Sequence, residues 1–175
     1  MNIGEAKEKA LKLLDNNMIA YTLEEKEGIE VTDLGLNDIE NIGLQIITYE
    51  NNERYCAKEI ILLPNQTCPE HRHPALSLNN PGKQETFRVR YGTVYLFAEG
   101  INNFLDENLI PKGYEEKFNV KTGLKLEKGM QYTLKPNTLH WFKAGKDGAI
   151  VSEFSSTSDD FSDIFTDENI KRVEK

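Results

Sequence analysis

The sequence predicts an all-β single domain, a sandwich or barrel of short strands with one α-helix in front. Three observations carry this. The chain has 175 residues, one domain's worth. Beyond residue 43, short stretches rich in Ile, Val, Leu, Thr and aromatics recur at close spacing. Between them stand clusters of Gly, Pro, Asn and Asp, which suit turns and interrupt longer elements.

In chain order, Ile3, Ala6, Ala10, Leu13, Leu14 and Met18 recur at three- and four-residue spacing with Lys and Glu between them. This predicts an amphipathic helix whose last turn is weakened by Asp15-Asn16-Asn17. Residues 21–41 are polar and, with Gly28, Gly35 and the following Gly43, predict an irregular lead-in. Strands are predicted at 44–49, 54–63, 85–91, 93–98, 131–134, 139–143 and 149–154. Their turn signals include Asn51-Asn52, Pro64-Asn65, Asn79-Asn80-Pro81-Gly82, Lys128-Gly129, Pro136-Asn137 and Lys146-Asp147-Gly148. The tail runs acidic and then basic, and predicts a short helix capped by Ser158 or Asp159. The expected organisation is a helix and lead-in over 1–43 packing on a barrel over 44–157, with a C-terminal segment over 158–175.

Hydrophobic residues make up 38% and charged residues 29%, an ordinary soluble balance. Against 29 Asp+Glu stand 21 Lys+Arg, a formal charge of -8 that repels phosphate backbones and anionic lipid. Neither nucleic acid nor membrane is therefore an expected partner. No apolar run approaches the roughly 20 residues of a membrane span, and the charged N-terminus lacks the apolar core of a signal peptide. Two cysteines, Cys56 and Cys68, make no disulfide framework. The expected location is the cytoplasm.

The chain has three histidines, at 71, 73 and 140. On an extended chain His71 and His73 point to one face, so both imidazoles can reach one point. Glu85, at the start of a predicted strand, and His140, at the head of another, can complete the set. Three imidazoles and a carboxylate leave open positions on a six-coordinate ion such as Mn²⁺ or Fe²⁺, whereas closed zinc sites more often use thiolates. The alternative is that these are ordinary surface or core histidines.

These residues resemble the two cupin motifs. The first reads His71-Arg72-His73, Glu85 and Gly92; the second reads Gly129 and Pro136-Asn137-Thr138-Leu139-His140. Asn65 stands where that family often has Gly, and eleven residues separate His73 from Glu85 where cupins usually have far fewer. These departures narrow the resemblance. The strings Pro69-Glu70-His71-Arg72-His73-Pro74, 81–92 and Pro136-Asn137-Thr138-Leu139-His140-Trp141-Phe142 resemble the D-lyxose isomerases, metal-dependent cupin sugar isomerases. Ser152-Glu153-Phe154-Ser155-Ser156 followed by Asp159-Asp160 is similar to them too. The resemblance implies a double-stranded β-helix (jelly-roll) barrel and a divalent metal, Mn²⁺ foremost, with Co²⁺, Fe²⁺, Zn²⁺ or Ni²⁺ as alternatives. It also implies a monosaccharide substrate, D-lyxose or also D-mannose, and a homodimer. A cupin oxygenase using Fe²⁺ and a non-enzymatic sugar-binding module are the competing readings.

Aldose–ketose isomerisation needs a base near the two reacting carbons and stabilisation of the enediolate's charge. Glu153 is the candidate base: it shares a strand face with Ala149 and Val151, unless Ile150, Ser152 and Phe154 face inward instead. Lys58, in an apolar stripe with Cys56, Ile60 and Leu62, is the candidate charge stabiliser, unless its head reaches solvent. Four residues are candidate substrate contacts. Lys83 lies in the loop before Glu85. Arg90 shares a face with Arg88, opposite Glu85 and Phe87, and serves substrate only if a bulge re-aims it. Tyr95 shares a face with Phe97 and reads as barrel lining. Asp159, with Asp160, either caps a helical turn or closes over the pocket.

Overall fold

The computed structural model describes residues 1–105 and 109–171. Two helices, α1 (Ile3–Asn16) and α2 (Leu23–Gly28), precede most of the sheet. The strands are β1 (Glu30–Thr32), β2 (Leu44–Asn51), β3 (Cys56–Leu62), β4 (Thr67–Arg72), β5 (Glu85–Ala98), β6 (Gly123–Glu127), β7 (Gln131–Leu134), β8 (His140–Ser155) and β9 (Ile164–Phe165). Among the described residues these nine strands pair antiparallel into one curled sheet.

Helix α1 starts at a capping box, in which Asn2 Oδ1 accepts from Glu5 N at 2.9 Å and Glu5 Oε2 accepts from Asn2 N at 3.0 Å. It buries Ala6, Ala10, Leu11 and Leu14 in a cluster with Ile47, Ile61 and Ile150. Burying a leucine such as Leu14 stabilises the fold by roughly 1.5–3 kcal/mol. The helix ends before Met18, which takes a φ of 55° and is exposed. The lead-in is more regular than its polar sequence predicts, because α2 and β1 lie within it.

Two long strands organise the barrel. The sequence predicts a pair of strands at 85–98 and another at 139–154, but β5 and β8 each run on continuously and change sheets partway along. Residues 149–155 of β8 lie between β3 and the first half of β5; residues 140–144 lie between β4 and its second half. One sheet is therefore β1-β2-β3-β8-β5-β7 and the other β9-β4-β8-β5-β6. Their inner faces share one core, which includes Ile46, Ile60, Phe87, Leu96, Phe142 and Val151.

Gly92 and Gly148 sit where the two strands turn. A Cβ on Gly92 would lie 2.0 Å from the Gly148 carbonyl oxygen, and Gly92 has a φ of 73°. The cupin-motif glycine is thus required by backbone approach as well as by φ. Gly92→Ala is expected to cost more than Gly129→Ala. Gly129 shares a positive φ, but nothing lies within 4 Å of its added Cβ. The second change carries only left-handed strain, about 1–3 kcal/mol; urea denaturation of both variants measures the difference.

Of two register shifts, the one between Val89 and Tyr91 exchanges the faces of β5, whereas at Gly92 and Val94 the extra residues lie in β8. Glu85, Phe87 and Val89 face inward before them, and Val94, Leu96 and Ala98 after them. Tyr95 and Phe97 consequently do not line the barrel. They join an outer cluster with Phe118 and Trp141, where Phe97 stacks on Trp141 at 3.8 Å. The predicted C-terminal helix is also absent among the described residues. That segment runs as an extended strap containing β9, and 172–175 lie outside the described residues.

Candidate metal centre and active site

His71 stands near the end of β4, paired in register with His140 at the start of β8, and His73 follows just beyond β4. Each Nδ1 is engaged: His71 with the Pro69 carbonyl at 2.8 Å, His140 with the Thr138 carbonyl at 2.9 Å, and His73 with the Asp163 carboxylate. Fixing Nδ1–H in this way leaves each Nε2 lone pair free for a metal. The ligand atoms of all three histidines lie within 4.8 Å of one another. Glu85 Oε1 stands 3.2 Å from His73 Nε2 and 3.0 Å from His140 Nε2.

His73 Nε2, His140 Nε2 and Glu85 Oε1 are buried without a hydrogen-bond partner. Orphaned acceptors facing one another at this depth are costly unless a cation joins them. The donor set, three imidazoles and one carboxylate, fits a divalent transition metal. Electrostatics point the same way. Burial and the neighbouring His140 and His73 hold the His71 imidazole well below its ordinary range. Burial opposes charge on His73, yet Glu85 and Asp163 outweigh it and push that imidazole up to about 9. Burial likewise favours a neutral Glu85, but Lys83, His73 and His140 hold its carboxyl well below the usual carboxylate range. The centre favours positive charge held between anions.

Glu153 lies on β8 between Lys58 of β3 and Phe87 of β5. It is buried at 4% exposure and lines the same cavity as His71, His73 and Glu85. Of the two faces left open by strand alternation, the one with Ala149 and Val151 is inward. Ile150 and Ser152 are buried too, but on the outer face, where α1 and the Glu59 carboxylate cover them.

Lys83 Nζ lies 2.5 Å from Glu153 Oε1 and 2.8 Å from Glu85 Oε2. Burial works against its charge, but Glu153 and Glu85 more than offset this and raise the ammonium above its ordinary range. Lys58 is also inside, its Nζ 3.1 Å from Ser158 Oγ and 3.0 Å from Asp160 Oδ2. The cavity measures about 430 Å³ including its mouth; Leu34, Phe87, Phe142 and Phe165 supply apolar wall.

Three expected substrate contacts are not brought there. Arg90 sits at the β5 bulge, but the bulge leaves it outside, its guanidinium 3.2 Å from Ser152 Oγ and 3.9 Å from Glu59. Tyr95 lies in the outer cluster because the face exchange precedes it. Asp159 is exposed, and its carbonyl accepts from Ser162 N and Oγ in a turn. The next residue, Asp160, faces the cavity instead. Sequence reasoning also gave no role to Asp163. The only signal near it is the Ser/Asp-rich run 158–163, which equally suits a helix cap.

Glu70, next to the ligand His71, points away from the centre. Its carboxylate accepts from Asn119 N at 2.8 Å, Val120 N at 2.8 Å, Asn119 Nδ2 at 3.0 Å and Thr166 Oγ1 at 2.7 Å. Glu70→Gln is therefore expected to lower stability by about 1–3 kcal/mol and to leave metal stoichiometry unchanged. Glu85→Gln should instead lower metal stoichiometry. Elemental analysis beside thermal denaturation separates the two.

A barrel of this fold has known counterparts. The L-ribose isomerase of Cellulomonas parahominis superposes with a TM-score of 0.78 at 16% identity, covering 97% of this chain and 93% of that one. The L-ribose isomerase of Acinetobacter sp. DL28, in complex with L-ribose, gives 0.77 at 16%, covering 95% and 91%. At those identities the likeness is one of fold, the cupin-type double-stranded β-helix. Sequence reaches further. The D-lyxose/D-mannose isomerase of Thermosediminibacter oceani is 57% identical over 171 residues, 98% of this chain and 94% of that protein. The D-lyxose ketol-isomerase of Cohnella laeviribosi is 47% identical over 169 residues, 97% and 92%. The D-lyxose isomerase family profile matches residues 7–175. With nearly the whole chain matched, and with the histidine cluster the motifs require, this protein belongs to the D-lyxose isomerase family.

Proposed function

We propose that this chain interconverts D-lyxose and D-xylulose by proton transfer through an enediol, with D-mannose and D-fructose as a second pair. The two aldoses have the same configuration at C2, C3 and C4, so one cavity can present either to the same groups. One observation carries the reading: Lys83 ties Glu153 to Glu85, setting a buried carboxylate beside the three-histidine cluster.

In this reading His71, His73, Glu85 and His140 hold a divalent cation, Mn²⁺ foremost. When bound, it supplies Lewis acidity toward the sugar's O1 and O2 oxygens. Glu153 takes the proton from C2, whose electron pair becomes the C1–C2 double bond while O1 gains the negative charge. A proton then passes from the O2 hydroxyl to O1, C2 becomes the carbonyl, and Glu153 returns its proton to C1. Lys83, 2.5 Å from Glu153, holds that carboxylate in place, and Lys58 offers charge to a sugar oxygen. The apolar wall of Phe87, Phe142 and Phe165 limits water around the enediol.

The same reading takes the working molecule as a cytoplasmic homodimer. Phe154, 54% exposed on the outer sheet face, supports pairing there, and light scattering reads the mass directly. The deciding experiment is an anaerobic incubation of Mn²⁺-loaded protein with a panel of pentoses and hexoses. Ketose formed from D-lyxose without oxygen is the expected result. Turnover only with oxygen would make the protein an oxygenase, and no turnover of any sugar would leave a binding module.

A further inference from the structure

The strap over residues 156–171 is tied to the barrel by contacts that converge on the cavity. Ser156 N donates to the Gln84 carbonyl, Ser158 exchanges two hydrogen bonds with the Asn51 side chain, and Thr166 bonds Glu70 through N and Oγ1. Strand β9 pairs with β4 beside His71, and Lys171 N donates to the carbonyl of Leu34, itself a cavity residue. Within this frame Asp163 is set apart. Its side chain is 4% exposed, and its carboxylate meets His73 Nδ1 across 90 positions of sequence.

The three histidines are not oriented alike. His71 and His140 are held by carbonyls two residues away in their own strands' approach, so their orientation is local. His73 alone among them is held by a charged side chain, carried on another element. A carboxylate accepting from Nδ1–H fixes the ring and makes Nε2 a stronger donor to a cation. Resting on the metal-dependent reading above, we infer that Asp163 is a positioning residue of the metal centre, through which strap docking and cation binding stabilise each other. Linkage makes the effect reciprocal: whatever a docked strap adds to cation affinity, the bound cation returns to strap docking. The docked strap also presents Ser158 and Asp160 to Lys58, so the cation's arrival and the completion of the cavity wall become one event.

Co²⁺ alone, without sugar, is the probe. Wild-type protein, Asp163→Ala and Asp163→Asn are titrated by equilibrium dialysis and by the visible absorption of the bound ion. Backbone hydrogen exchange of residues 158–171 is followed with and without Co²⁺. Asp163→Ala is expected to weaken affinity by about 10–100-fold and to change the absorption band at saturation; a purely structural role would leave that band alone. Asp163→Asn, which keeps size and an acceptor oxygen, should fall between and guards against a variant that fails to fold. In wild type Co²⁺ should slow exchange along the strap, and in Asp163→Ala it should not. Variants that bind Co²⁺ within two-fold of wild type, or a strap whose exchange ignores the ion in wild type, overturn the inference. Wild-type protein that binds no Co²⁺ at all overturns the metal reading instead.

Discussion

Glu153→Gln is expected to lower turnover by about 10²- to 10⁴-fold, the usual contribution of a positioned general base, with bound metal and fold retained. The amide keeps the volume and the contact with Lys83 but cannot accept the C2 proton. Running wild-type protein in D₂O adds an independent arm. A proton carried on a carboxylate partly exchanges with solvent, so deuterium should enter C1 of the ketose, whereas a hydride shift would leave C1 unlabelled. Lys83→Met and Lys58→Met should also slow turnover, and they differ informatively. Lys83 touches both Glu153 and Glu85, so its loss should weaken metal binding too; Lys58, held by Ser158 and Asp160, should leave metal in place. Near-normal rates in metal-loaded Glu153→Gln would move the base elsewhere.

The second large effect separates two neighbours on one strand. His140→Ala is expected to strip most of the metal and nearly all activity while the barrel stays folded, because the core shared by the two sheets does not depend on one imidazole. Trp141, adjacent but outward, stacks on Phe97 and donates from Nε1 to the Val120 carbonyl at 2.8 Å. Trp141→Ala should cost about 3–5 kcal/mol of stability and leave metal stoichiometry of the folded fraction unchanged. Elemental analysis and urea denaturation of both variants read the crossed outcome. Full occupancy in His140→Ala would remove that residue from the centre.

Much of this was legible in the residues themselves, for local reasons. Alternation put Glu153 with Ala149 and Val151, and turn chemistry foresaw backbone demands: Asn65 and Asn137, each in a Pro-Asn turn signal, adopt φ of 62° and 58°. Illegible was whatever depends on long-range register. The face exchange in β5 is invisible to a period-two reading, so Tyr95 and Phe97 fell on the wrong side. Asp163 and Asp160 contact residues roughly a hundred positions earlier, across a strap whose composition equally suits a helix. Asp159 lies in a turn and its neighbour Asp160 faces the cavity, a choice between adjacent residues that composition alone does not make.

The glycine corner has a mechanical meaning. His140 opens β8 and Glu153 stands near its end, with Gly148 between, so the strand carries a metal ligand on one arm and the candidate base on the other. The arm from His140 to Ala144, beyond the bulge that opposes Gly92 and Val94, spans roughly 13 Å at about 3.3 Å per residue. Over such a lever, each degree of opening at the corner moves the far end by about 0.2 Å. Catalytic groups tolerate misplacement of only about 0.5 Å. Rigidity where Gly92 presses on Gly148, far from any sugar, therefore sets how closely the two jaws of the site can be held in register.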